Sequence, residues 1–249
     1  MHSLPTGQID YSIIVPAWNE AAFIEHSLNA LFAAMRGVDH WRGELVVVDN
    51  NSSDDTASVA EGCGARVVFE AVNQISRARN TGARAANGRY LIFIDADSHC
   101  DAVLLRETLD SLASGSIVGG GSPIRPDRPV NGLADHGLRF WNFLSRSLKL
   151  AAGCFVFCRR DAFEAVGGFS ERVYAGEEIY LSRALKRHAR RHGGRFAILE
   201  TSPVTTSIRK LDWYSPLALF RQTLLVLIPG ALYSKRLCRT WYDEQRERR

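Results

Sequence analysis

The sequence predicts an α/β domain with a mixed, mainly parallel sheet that is flanked by helices. Short apolar runs alternate with segments of helical periodicity through the first half of the chain, and this alternation is typical of βαβ units. Polar residues follow three of the apolar runs, at Asn19-Glu20, Asp49-Asn50-Asn51 and Asp95-Ala96-Asp97. Ligands of open α/β sheets bind at the carboxyl ends of strands, so these segments point to one shared site.

Each element of the first half has its own local signal. The first strand is rich in β-branched residues and stops at Pro16, and the second helix is preceded by the capping residues Ser52-Ser53-Asp54-Asp55. Gly88 is expected to be the C-cap of the third helix. The predicted strands are 11–15, 44–49, 65–69 and 91–94, and the predicted helices are 19–32, 56–62 and 76–87.

The second half of the chain is less regular. The segment 116–122 is rich in glycine, and the prolines that follow it exclude a helix there. Beyond them, apolar periodicity predicts further elements, and Gly193-Gly194 ends the last helix. The predicted helices are 133–150, 160–166 and 177–192, and the predicted strands are 154–158 and 195–200. Because no linker or repeat interrupts them, residues 1–210 are expected to form one domain.

Composition excludes several classes of protein. The chain has 249 residues, 46% of them hydrophobic, which is enough to bury a substantial core. The formal net charge of +4 is small and the basic residues are dispersed, so no nucleic-acid partner is expected. The five cysteines show no zinc-site spacing, and the amino terminus has no apolar signal-peptide region. Both observations favour the reducing cytoplasm.

The carboxyl-terminal residues 211–249 form a separate apolar and basic extension, which is expected to be helical. The run 217–233 contains Arg221 and Pro229 and is shorter than the ~20 uninterrupted apolar residues that a spanning helix needs. Two interpretations stay open. Residues 211–240 either pack on the domain or on a second subunit as a homodimer, or they lie on the inner face of a membrane as an interfacial helix with basic residues beyond it.

Two carboxylates separated by one residue, Asp95 and Asp97, follow the apolar run Leu91–Ile94. Four consecutive apolar residues predict a buried strand, and a buried strand does not tolerate unpaired charge, so the carboxylates are expected at its open end. There they can hold Mg²⁺ or Mn²⁺, hard cations that prefer oxygen ligands, next to a diphosphate. A loop aspartate can also simply cap the next helix, and His99 is either a third ligand or a solvent-facing residue.

Five ordered motifs resemble those of the family 2 glycosyltransferases, nucleotide-sugar-dependent enzymes with the Rossmann-like GT-A fold. The resemblance covers roughly residues 11–210, and its motifs are specific as a set. It implies a nucleotide-binding half at about 1–100 and an acceptor-binding half at about 101–210. The matching segments are Ile13–Glu20, Val46–Thr56, Arg77–Gly82, Ile94–Asp97 and Gly167–Phe169 followed by Gly176–Glu178.

The resemblance also implies roles for individual residues. Asp49 would accept a hydrogen bond from the base, Asp97 would coordinate the metal, and Asp95 would lie near the ribose and the hydrated metal. Arg79 and Asn80 would approach the nucleotide or diphosphate, since the arginine fork suits phosphate. The other residues of the nucleotide-sugar site are expected to be Pro16, Ala17, Glu20, Asn51, Ala96 and Arg209.

Two positions depart from the family pattern. The family usually places its base in a Glu-Asp pair, and this chain has Glu177-Glu178; we expect Glu178 to be the base, with Glu177 as the alternate. The amino-terminal dipole of the following helix would make it a weaker base. Many relatives have a metal-binding histidine where this chain has Thr206, so Asp97 would carry more of the metal binding. Arg209 would neutralise the diphosphate from the other side or lie exposed on a loop.

The function that the resemblance implies is metal-assisted, inverting transfer of a sugar from a nucleoside-diphosphate sugar to an acceptor hydroxyl. A noncatalytic nucleotide-sugar-binding protein is the alternative from another class, and the two departures are its only support. A nucleotidyltransferase, the weaker alternative, would be expected to have a loop rich in glycine and in lysine or arginine after the first strand, where this chain has Pro16–Glu20. The sequence does not identify the sugar, the base or the acceptor.

Overall fold

The computed structural model describes residues 8–130, 132–209, 231–234 and 238. The helices of this part of the chain are α1 (Ile24–Arg36), α2 (Thr56–Gly62), α3 (Ile75–Ala85), α4 (Ala102–Ala113), α5 (Leu133–Leu148), α6 (Arg160–Ala165) and α7 (Glu177–Arg191). The strands are β1 (Tyr11–Ala17), β2 (Gly43–Asp49), β3 (Arg66–Phe69), β4 (Tyr90–Ile94), β5 (Ser98–His99), β6 (Ile117–Gly121), β7 (Ile124–Pro126), β8 (Phe155–Arg159), β9 (Arg195–Ile198) and β10 (Val204–Thr206).

A seven-stranded sheet with the order β3-β2-β1-β4-β8-β6-β9 forms the centre of the domain. The pairs β3-β2, β2-β1, β1-β4 and β6-β9 are parallel, and β8 runs antiparallel between β4 and β6. A second sheet has the order β5-β10-β7. The predicted mixed, mainly parallel α/β architecture is therefore confirmed.

The core lies on both faces of the sheet because neighbouring residues of a strand point to opposite sides. On β1, Ile13 packs in a cluster with Leu28 of α1 and Leu104 of α4, whereas Ile14 packs in a cluster with Ala78 of α3 and Leu181 of α7. Both isoleucines are fully buried. This two-sided burial explains why β1 is a continuous apolar run without polar alternation.

The glycine-rich segment 116–122, for which no element was predicted, contains the interior strand β6. A Cβ added at Gly120 would lie 2.1 Å from the carbonyl oxygen of Ala197, and one at Gly119 would lie 2.8 Å from that of Phe157. The neighbouring strands come too close for side chains at these positions. Glycine is a weak strand former by propensity, so only the packing of β8 and β9 against this segment reveals it as a strand.

The prediction that Gly88 caps the third helix is wrong. Helix α3 ends at Ala85, and the next residue, Ala86, is already extended with φ −67° and ψ 149°. A Cβ at Gly88 would lie 2.4 Å from the carbonyl carbon of Tyr11 and 2.5 Å from the backbone nitrogen of Ser12. This glycine therefore allows the chain to pass closely over the start of β1.

The predicted extension 211–249 lies outside the described residues, except for 231–234 and 238. In that short part, the 3₁₀ helix Ala231–Tyr233 places Leu232 in a small apolar cluster with Val173 and Ala175. The backbone nitrogen of Tyr174 donates to the carbonyl oxygen of Leu232 at 2.7 Å. No helix within the described ranges is both long and apolar enough to cross a bilayer.

Candidate active site

The three polar segments that were predicted to share a site do follow neighbouring strands at one edge of the sheet. Ala17, the last residue of β1, is in register with Asp49, the last residue of β2. Strand β4 lies on the other side of β1, runs parallel to it, and ends directly before Asp95. Because parallel strands have their carboxyl ends at one edge, Pro16, Ala17, Asp49 and the segment 95–97 belong to the same rim.

The loop after β1 is fixed by hydrogen bonds to the loop after β2. Asn19 has the left-handed φ of 52°, and its side-chain oxygen accepts from the Ser53 nitrogen at 2.8 Å. The nitrogen of Glu20 donates to Oγ1 of Thr56 at 2.8 Å. These contacts delay the start of α1 until Ile24, later than the predicted start at residue 19, and they hold the Glu20 carboxylate in a buried position.

Asp49 and Asn51 border the same rim. Oδ1 of Asp49 accepts from the Ser52 nitrogen at 3.0 Å, while Asn51 has a φ of 64° and is exposed. Between them, Asn50 is buried and was not predicted as a site residue. Its amide donates to the Val72 carbonyl at 2.7 Å and accepts from the Gln74 nitrogen at 3.0 Å. Asn50 thus fixes the segment that leads from β3 into α3.

Arg209 joins Glu20 to Asp97 across the rim. Its Nη2 donates to the Glu20 carboxylate and lies 3.2 Å from Oδ2 of Asp97. Its Cζ is 4.3 Å from the centre of the Phe23 ring. The alternative expectation, that Arg209 lies exposed on a loop, is wrong, because its side chain is buried and ion-paired. Lys210, the next residue, lies outside the described part of the chain.

Asp95 and Asp97 are the carboxylates that suit a divalent cation. Each of them has an arginine neighbour, Arg79 at 2.7 Å from Asp95 and Arg209 at 3.2 Å from Asp97. Among the described residues, no group of three histidine, cysteine or acidic side chains is placed to hold a metal. A cation held by two carboxylates, with a diphosphate and water as further ligands, is the usual arrangement for Mg²⁺, so the donor set fits Mg²⁺ or Mn²⁺.

The small second sheet closes the rim beside Asp97. Ser98 and Thr206 are paired between β5 and β10, and the Ser98 hydroxyl donates to Oγ1 of Thr206 at 2.7 Å. His99 faces His26 of α1, with ring centres 5.6 Å apart and nearly perpendicular. Burial first, and then the charges of His26 and Arg125, lower the pKa of His99. This histidine is therefore half-buried against α1.

Arg79 connects the metal side of the site to the acidic pair of α7. The side chain is 1% exposed, and it donates to Asp95 at 2.7 Å, to Glu177 at 2.5 Å and to the Gly153 carbonyl at 2.7 Å. Burial opposes its charge, but Asp95, Glu177 and Glu178 outweigh burial and raise the pKa of Arg79. Arg79 is therefore a permanent cation between three carboxylates.

Glu177 and Glu178 begin α7 but have different environments. Glu177 is buried and paired with Arg79. Burial first, and then the charge of Glu177, raise the pKa of Glu178 to about 8, although Arg79 acts in the opposite direction. The prediction that the helix terminus would make Glu178 a weaker base is wrong, because burial and its acidic neighbour dominate. A Cβ built at Gly153 would lie 3.5 Å from the Glu178 carboxyl carbon.

Asn80 and Gln74 hold the loop that precedes α7. The Asn80 amide accepts from the Phe169 nitrogen and donates to the Phe169 carbonyl and to Glu171, each at 3.0 Å. Nε2 of Gln74 donates to the carbonyls of Glu171 at 2.8 Å and Val173 at 3.0 Å. The hydrogen bonds of the Asn80 side chain therefore go to other residues of the protein. Gln74 was not predicted as a functional residue. Its place as a polar residue just before the arginine-rich helix α3 was a signal that could have identified it.

Known proteins resemble this chain in sequence and in fold. Glycosyltransferase AglE of Haloferax volcanii is 26% identical over 185 residues, which cover 69% of this chain and 60% of that protein. The mannosyltransferase PcManGT from Pyrobaculum calidifontis, solved with GDP-Man and Mn²⁺, has a TM-score of 0.68 at 23% identity, covering 88% of this chain and 63% of that chain. The chain thus spans less than two thirds of either protein.

A second solved structure, glucosyl-3-phosphoglycerate synthase from Mycobacterium tuberculosis with Mn²⁺, UDP and glucosyl-3-phosphoglycerate, has a TM-score of 0.60 at 24% identity. It covers 89% of this chain and 79% of that chain. The likeness to these structures confirms the predicted GT-A fold. The family model Glycosyl transferase family 2 matches residues 12–167, more than half of the chain. The protein therefore belongs to the glycosyl transferase family 2.

Proposed function

We propose that this protein transfers a sugar from a nucleoside-diphosphate sugar to an acceptor hydroxyl with inversion at the anomeric carbon. The environment of Glu178 supports this best. Its carboxylate has a pKa raised to about 8 by burial and by Glu177, which is the range that a general base needs near neutral pH. Its neighbour Glu177 is neutralised by Arg79, so we assign the base to Glu178 and a positioning role to Glu177.

The rim of β1, β2 and β4 would bind the donor. Pro16, Ala17, Glu20, Asp49 and Asn51 would line the nucleotide pocket, as the resemblance to the family implies. The two solved structures described above hold GDP-Man and UDP, respectively, each together with Mn²⁺, which supports a nucleoside-diphosphate donor without fixing its base. Arg209 would contact the diphosphate, since its guanidinium already lies between Glu20 and Asp97.

Asp97 would hold Mg²⁺ or Mn²⁺, with Asp95 beside it. A bound divalent cation supplies Lewis-acid stabilisation of the departing diphosphate. Arg79 orients the Asp95 carboxylate through the 2.7 Å hydrogen bond. With Thr206 where many relatives have histidine, the two aspartates would provide the protein's share of the metal site.

The transfer itself is a single displacement. Glu178 takes the proton of the acceptor hydroxyl, and that oxygen forms a bond to the anomeric carbon. The bond from the same carbon to the diphosphate oxygen breaks on the opposite face, so the configuration inverts. The leaving nucleoside diphosphate keeps the electron pair, and the proton stays on Glu178 until solvent removes it.

The experiment that tests this assignment compares Glu178→Gln with Glu177→Gln. We expect Glu178→Gln to bind the donor normally, as judged by thermal shift with nucleotide sugars and Mn²⁺, and to lose transfer by roughly 10²–10⁴-fold, the usual contribution of a general base. Unchanged turnover in Glu178→Gln would refute the assignment of Glu178 as the general base. Absence of metal-dependent release of nucleoside diphosphate by the wild type, with any sugar donor tested, would favour the noncatalytic binding protein instead.

A further inference from the structure

The outward face of helix α5 has large apolar side chains. Phe140 is 64% exposed, Phe143 is 65% exposed and Leu148 is 51% exposed. Phe140 and Phe143 are three residues apart and therefore share one face of the helix. Large exposed apolar patches are unusual on the surfaces of soluble proteins, and where they occur they often mark interaction sites.

The inward face of the same helix contains polar residues with defined partners. Asn142 accepts from the Ile124 nitrogen and donates to the Ile124 carbonyl, both at 2.9 Å. The Ser145 hydroxyl is buried and donates to the Leu150 carbonyl at 2.7 Å. A surface helix usually directs its apolar residues inward. Here the exposed phenylalanines do not serve the packing of α5 on the domain.

A cluster of positive side chains that has no acidic partner within the described ranges lies at the carboxyl end of α5. Nζ of Lys186, on α7, donates to the Leu148 carbonyl at 2.8 Å. Burial first, and then the positive charges of Arg183, Arg190 and Lys149, lower the pKa of Lys186. Arg139 and Arg146 on α5 differ from this cluster because they have acidic neighbours, Asp135 at 2.8 Å and Glu200 at 4.0 Å.

We propose that these side chains form one docking surface for an anionic membrane. The phenylalanines would enter the headgroup region, and the cations would contact the negative lipid phosphates. A second copy of this chain is a poor occupant, because a twofold contact would bring two like-charged clusters together. This surface, called the α5 patch, consists of Phe140, Phe143, Leu148, Lys149, Arg183, Lys186 and Arg190.

The α5 patch is connected to the candidate acceptor side of the site along α7. The segment after α5 follows this helix: the Leu148 carbonyl accepts from Lys186 and the Ala151 nitrogen donates to Ser182. Further along, a Cβ built at Gly153 would lie 3.5 Å from the Glu178 carboxyl carbon. Lys186 and Glu178 are eight residues apart, which is about 12 Å along a helix. If the proposed transfer holds, an acceptor anchored in the bilayer lies within reach of Glu178. The docking itself does not depend on that reaction.

Vesicle sedimentation with the full chain tests the docking. We expect the protein to bind vesicles of phosphatidylcholine and phosphatidylglycerol, to bind vesicles of phosphatidylcholine alone much more weakly, and to dissociate as the salt concentration rises. The double substitution Phe140→Ser with Phe143→Ser should lower the partition coefficient roughly tenfold or more, because two partly inserted aromatic rings are lost. Phe69→Ser is the matched control, since Phe69 is 61% exposed on another part of the surface.

A charge reversal tests the electrostatic part separately. Arg183→Glu should weaken binding roughly twentyfold, because one favourable charge is replaced by an unfavourable one, whereas Arg36→Glu, on the exposed end of α1, should change it little. Circular dichroism melts check that each variant is folded. Equal binding of the double serine variant and the wild type, or no binding to anionic vesicles, overturns the proposal. A dimer that the serine substitutions abolish, without vesicle binding, also overturns it.

Discussion

Arg79→Met removes the cation that joins Asp95 to Glu177. The side chain is 1% exposed and Glu177 is 4% exposed, so the substitution leaves a buried carboxylate without its counter-charge. Breaking a buried ion pair from one side costs about 3–5 kcal/mol. Domains are stable by roughly 5–15 kcal/mol, so the variant should still fold. At roughly 2–4 °C for each kcal/mol in a chain of this size, the melting temperature should fall by about 6–20 °C.

The assay is urea denaturation of the wild type, Arg79→Met, Arg77→Met and the double variant Arg79→Met with Glu177→Gln. Arg77 is on the same helix and pairs with Glu171 at 3.2 Å, but it is 40% exposed, so its loss should cost under ~1 kcal/mol. The double variant should recover part of the stability, because it no longer buries the unpaired carboxylate. Equal stability of Arg79→Met and Arg77→Met, or no recovery in the double variant, would refute this account of the Arg79 network.

Four further outcomes follow from the same geometry. Glu178 has a pKa raised from 4.5 to about 8 on folding, so the free energy of unfolding should decrease as pH rises between these values, and urea denaturation of Glu178→Gln should show a flatter dependence. Gly153→Ala places a methyl group 3.5 Å from the Glu178 carboxyl carbon, and its added desolvation should move the acidic limb of the kcat/KM profile to higher pH without unfolding the protein. Asn50→Ala should cost about 1–3 kcal/mol, since buried partners lose their hydrogen bonds, whereas Asn51→Gly, at an exposed left-handed position, should change stability by under ~0.5 kcal/mol in the same assay. Mn²⁺ with a nucleoside diphosphate should raise the melting temperature of the wild type and not of Asp97→Asn; an equal rise in both would exclude Asp97 as the metal ligand.

Local signals in the sequence were sufficient for much of the fold. The runs that became β1, β2 and β4 are buried on both faces of the sheet and therefore appear as continuous apolar segments. The common edge at which the three polar segments lie was predictable for a related reason, because strand polarity alone brings the ends of parallel strands to one edge. The glycine-rich strand β6 was not predictable. Its glycines are required because the backbones of Phe157 and Ala197 come too close for side chains, whereas glycine by propensity is a weak strand former.

In the candidate site, too, some features were predictable from the sequence and others were not. The sequence predicted the GT-A class through its resemblance to the family, the strand ends that bring Glu20, Asp49 and Asp95-Asp97 to one rim, and the acidic pair that begins α7. Only the tertiary structure decided how these groups are buried and paired. Arg79 contacts Glu177 across 98 positions and Arg209 contacts Glu20 across 189 positions, and no local pattern encodes such pairs. The pKa of Glu178 likewise depends on burial and on neighbours that come together only in the folded chain.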